Sequence, residues 1–135
     1  MDMEEFLPEE GTPLRKVLSE NGLLDADVLM NYAEFRAENP GGSKENPIVI
    51  SETEDYVPLE YDFLDFILQG PVRFVNYELQ RQSLYETDGR YYDAITVEVT
   101  DLDKLLSGKD CTSEETWWFD ITAGFTALSG ALSHR

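Results

Sequence analysis

The chain of 135 residues carries 28 Asp and Glu against 10 Lys and Arg, for a formal charge of −18, and 41% of it is hydrophobic. That composition provides one core at the length of one domain, spanning residues 1–135, and excludes the low hydrophobicity of a disordered chain. Repulsion disfavours direct binding to a nucleic-acid backbone or an anionic membrane, so a basic protein partner is expected instead. The acids divide as 15 before residue 61 and 13 after it, so the charge is not confined to a detachable tail.

Residues 1–11 are acidic and interrupted by Pro8 and Gly11, which predicts a flexible lead-in. Thr12-Pro13 reads as an N-cap and first helical position, followed by the stripe Leu14, Val17 and Leu18 and the stop Asn21-Gly22. A second helix is predicted from Asp25 to about Glu38, with Val28, Leu29, Tyr32 and Phe35 inward. The pair does not suit a DNA-reading helix-turn-helix, because its second helix offers only Arg36 against four acids.

Pro47-Ile48-Val49-Ile50 is a short β-rich run, suited to an edge strand. Tyr56 to Leu68 reads as a helix with Leu59, Phe63, Phe66 and Ile67 on one face and Glu60, Asp62 and Asp65 on the others. From Val72 the period changes to two, and a strand is expected to run into a hairpin centred on Asp88-Gly89, both of which tolerate the positive φ of a type I′ turn. On the second arm Ile95, Val97 and Val99 alternate with Thr96, Glu98 and Thr100, so one face is core. The more polar first arm leaves room for a bulge.

After a capped turn at Thr100-Asp101, Lys109 to Glu115 reads as a polar excursion, and Trp117 to Ile121 as a third strand with Trp118 and Asp120 on its outer side. Phe125, Leu128 and Leu132 fall at helical spacing, although Gly124 and Gly130 weaken that helix. The expected fold class is α+β: a small antiparallel β-meander of at least three strands, with the N-terminal helices and the middle helix packed on one face.

Catalytic motifs are not evident. His134 stands next to the chain end, and Cys111 lies in an acidic stretch that would raise a thiol pKa, so neither builds a nucleophile–base pair. One cysteine forms no intramolecular disulfide, and one Cys with one His does not close a zinc site. The Asp and Glu clusters lack the glycine and closing glutamate of an EF-hand, and Gly41-Gly42-Ser43-Lys44 lacks the spacing of a phosphate loop. No metal and no cofactor are predicted. The first ten residues carry no signal-peptide pattern and no window reaches the length of a membrane span, so the cytoplasm is the expected compartment.

What remains is an aromatic and acidic surface, for which Tyr85, Glu86, Asp88, Tyr91, Tyr92, Asp93, Trp118 and Asp120 are the candidate partner-binding residues. The leading expectation is a non-enzymatic interaction protein on the basic surface of a partner, either an inhibitor or immunity protein or a DNA mimic. Two alternatives stand beside it: a small ligand-binding or carboxylate-using enzymatic domain, and a self-associating assembly subunit.

Overall fold

A computed structural model describes residues 3–70, 72–108 and 111–133, with side chains described for 5–70, 72–108 and 111–128. It is α+β, with a four-stranded mixed sheet in the order β1-β4-β3-β2. The strands are β1 (Ile48–Val49), β2 (Val75–Thr87), β3 (Arg90–Asp101) and β4 (Thr112–Asp120). The helices are α1 (Pro13–Glu20), α2 (Ala26–Met30), α3 (Tyr56–Leu68), α4 (Leu102–Leu106) and α5 (Thr122–Ser133). Strands β2, β3 and β4 pair antiparallel as expected, but β1 pairs with β4 in parallel, so the sheet is not strictly a meander.

The local signals act as the sequence implies at several points. Thr12 caps α1 by accepting from the Arg15 N–H. Asp88 and Gly89 take φ of 54° and 81° at the hairpin tip, and Glu86 Oε1 accepts the Gly89 N–H at 3.1 Å. A register shift between Leu79 and Arg81 places the bulge in the first arm. Within the lead-in, Met3–Phe6 forms a 3-10 turn and Leu7 packs against the core.

Two elements differ from their expected extents. The helix expected over 25–38 is α2, followed by a 3-10 turn over Asn31–Ala33 and an extended Glu34. Tertiary contacts end it: the Asn39 amide donates to the carbonyls of Asn31 and Glu34, the Tyr32 hydroxyl donates to the Pro40 carbonyl, and the Phe35 ring packs tilted against Trp117, centroids 4.8 Å apart. At the other end, β4 begins at Thr112, because Thr112 to Glu115 find ladder partners in Val97 to Thr100. Lys109 and Asp110, in the expected excursion, lie outside the described residues, as do Pro71 and His134.

The core lies on one side of the sheet. Ile95, Val97 and Val99 from β3 and Trp117 and Phe119 from β4 share a face, and α1, α2 and α3 cover it with Val17, Leu18, Leu29, Phe63, Leu64 and Ile67. Trp117 is fully buried among the rings of Tyr32, Phe35 and Phe63. Its indole N–H donates to Glu115 Oε1 at 3.3 Å, and Arg73 holds the same carboxylate bidentately at 2.8 and 2.9 Å. The core therefore contains a buried ion pair.

Candidate interaction surface

Among the described residues no helix packs on the second face of the sheet, and its residues follow from parity. Opposite the core positions of β3 stand Tyr92, Ala94, Thr96, Glu98 and Thr100, and the ladder brings a β2 and a β4 residue beside each. Tyr85, Tyr92 and Asp120 form one row, and Ser83, Ala94 and Trp118 the next. Arg81, Thr96 and Thr116 follow, then Glu78, Glu98 and Glu114. Three glutamates thus stand side by side across three strands, at the separation where directly opposed like charges repel. All three are exposed.

The neutralising charge at that row is small. Arg81 reaches Glu114 at 3.4 Å, and both side chains are more than half exposed, so water screens the pair. At the hairpin end of the face the rings of Tyr85 and Trp118 meet tilted at 43° with centroids 5.2 Å apart, leaving Tyr85 45% exposed. An aromatic pair and a carboxylate row therefore share one surface.

The eight residues singled out from the sequence divide among the two faces and the hairpin tip. Tyr85, Tyr92, Trp118 and Asp120 come together on the helix-free face. Asp120 is buried there. Burial alone would raise its carboxyl, but the Thr122 hydroxyl at 2.6 Å, the Arg90 guanidinium and the Thr122 N–H at 3.0 Å outweigh it and hold the pKa below the ordinary carboxylate value. This carboxylate fastens the start of α5 to the sheet. Glu86 and Asp88 belong to the hairpin tip.

Tyr91 and Asp93 lie on the helix side, because period two puts them in line with Ile95. Tyr91 stacks on Phe125 at 4.3 Å, and Asp93 is buried.

Asp93 has a neighbour that the sequence reading placed away from the core. Glu60 of α3 is 0% exposed, and no N–H or O–H reaches either of its carboxyl oxygens. It pairs with the Asp93 carboxylate, an arrangement that requires one of the two to carry a proton. Burial, reinforced by hydrogen bonding to Asp93 and by its charge, pushes the Glu60 carboxyl up to about 10, so Glu60 is neutral near pH 7 and donates. Asp93 Oδ2 also accepts from Gln82 Nε2 at 3.0 Å, and Gln82 Oε1 accepts from the Tyr61 hydroxyl at 2.9 Å. This chain of bonds ties α3 to β2 and β3. With no exposed surface, Glu60 offers a substrate nothing to touch.

Among the described residues no group of three or more His, Cys, Asp and Glu side chains is placed to hold a metal ion, and no helix is long and apolar enough to cross a membrane. No protein-family model, no curated protein and no solved structure matches this chain.

Proposed function

We propose that the chain is a non-enzymatic acidic interaction protein whose helix-free sheet face binds the basic surface of another protein, as an inhibitor or immunity protein or as a DNA mimic. The observation that carries this reading is the row Glu78, Glu98 and Glu114, in register across three strands with Arg81 as its one close cation among the described residues. Like charges directly opposite each other destabilise a sheet, and a Lys- or Arg-rich surface docked on them converts that repulsion into attraction. Toward the hairpin end of the same face, two and three rows from the glutamates, the Trp118–Tyr85 pair supplies the amphipathic rings that anchor protein interfaces. Charge supports the same reading: with every Lys and Arg paired, the acids still exceed them by 18. Both versions use the same physics, carboxylates engaging cations that would otherwise meet another acid or a phosphate.

The test is capture from source-cell lysate at low and at moderate salt. A basic protein retained at low salt and diminished at moderate salt is expected, because attraction between exposed charges is screened. Retention independent of salt would sink the reading.

A further inference from the structure

The two edges of the sheet are finished differently. On the β4 side β1 pairs in parallel, Gly41 accepts the Trp118 N–H at 2.7 Å, and Ile50 donates to the Asp120 carbonyl at 3.0 Å. On the other side β2 is the edge, and from Asn76 to Thr87 its outer backbone has no backbone partner among the described residues. A 13-residue strand with one free edge is more than twice the usual strand length and is a ready template for another extended chain. Leu79 and Leu84, on the helix side of this edge, are 47% and 52% exposed.

The charges bordering the edge say what kind of chain fits it. Glu78 ends the glutamate row at β2, so a strand added there would place one residue as the fourth member of that row. Beneath the edge, Asp65 accepts from the Tyr77 hydroxyl at 2.6 Å, and exposed Asp62 adds its field to the same tyrosine. An incoming strand therefore passes between acids on both sides, with half-exposed leucines among them. A second copy of this chain would bring its own acids to the same place, since it carries the same −18.

We propose that the free edge of β2 takes an extended segment of the basic partner as a fifth strand, with Lys or Arg opposite Glu78 and apolar side chains directed toward Leu79 and Leu84. Main-chain bonds supply affinity and the alternating side chains supply selectivity. This inference rests on the basic-partner reading above and goes beyond it in naming the mode of docking.

The experiment follows amide hydrogen exchange of the full chain by NMR at low salt, with two probes: a short peptide alternating lysine and valine, and the same peptide N-methylated at alternate residues. The charges are equal, but only the first can form a strand. Slowing of the outward β2 amides by about tenfold or more with the first peptide and not with the second is expected. Equal binding of both peptides with β2 amides unprotected would overturn strand addition while leaving the acidic-face reading in place. Failure of both to bind would remove both readings. Protection of β2 that grows with protein concentration and no peptide would overturn the proposal in favour of self-pairing.

Discussion

Two sets of carboxylates lie on opposite sides of the same strands, and the fold handles them in opposite ways. On the helix side Glu60, Asp93 and Glu115 are withdrawn from water, and each is answered within the chain: Glu60 by a proton, Asp93 by that proton and the Gln82 amide, Glu115 by Arg73 and the Trp117 N–H. On the other side Glu78, Glu98 and Glu114 stand exposed to water with one well-exposed arginine for company. Buried acids are compensated because the cost of leaving them bare is several kcal/mol each, whereas exposed acids are tolerated because screening holds their repulsion below about 1 kcal/mol. The first set therefore serves the fold. The second set is left facing water, where the proposed partner would meet it.

The sharpest way to break this contrast is to remove a neutralising group from the helix side. Arg73→Ala leaves Glu115 buried without its cation and should destabilise the protein by about 3–5 kcal/mol in chemical denaturation. A loss comparable to that of a surface pair would show that Glu115 is not held as described.

Glu60 tests the same side through pH. Its folded-state carboxyl is raised, so between its ordinary value near 4.5 and about 10 the unfolded chain releases a proton that the folded chain keeps. Stability from this group is fully present below the ordinary value and is lost as pH rises toward about 10, on the order of 1.4 kcal/mol per pH unit. Glu60→Gln, neutral in both states and still able to donate to Asp93, should flatten that decline and raise the melting temperature at pH 8. An unchanged pH profile would contradict the shared proton.

The smallest effect belongs to the helix-free face. Glu98→Gln removes the central charge of the row and should stabilise the chain by less than about 1 kcal/mol at low salt, with the gain shrinking as salt rises. Destabilisation by that substitution would mean that Glu98 is engaged within the fold.

Much of the scaffold was legible because it depends on local chemistry. The Thr12-Pro13 start, the Asp88-Gly89 tip and the parity of Ile95, Val97 and Val99 each act over a few residues, and the structure reproduces them. The glutamate row was not legible, since it depends on two registers at once. The bulge after Leu79 shifts the parity of β2, and the early start of β4 brings Glu114 into the ladder.

The burial of Glu60 did leave a signal. Glu60, Phe63, Leu64 and Ile67 follow helical i, i+3, i+4, i+7 spacing, so the acid shares the core stripe. Gly124 weakens α5 as a helix, yet a Cβ there would lie 2.4 Å from a ring carbon of Tyr56. That glycine marks a close approach of helix to side chain, which only the fold displays.

The proposed binding depends on the arrangement of acids on one face and not on net charge alone. The most direct measurement compares two variants with equal charge change against the partner recovered from lysate: Glu78→Gln/Glu98→Gln/Glu114→Gln on the helix-free face, and Glu9→Gln/Glu10→Gln/Glu54→Gln elsewhere on the surface. Titration at low salt should show affinity falling by about tenfold or more for the first variant and within about threefold of the parent chain for the second. Equal losses in the two would reduce the interaction to net charge and contradict the account.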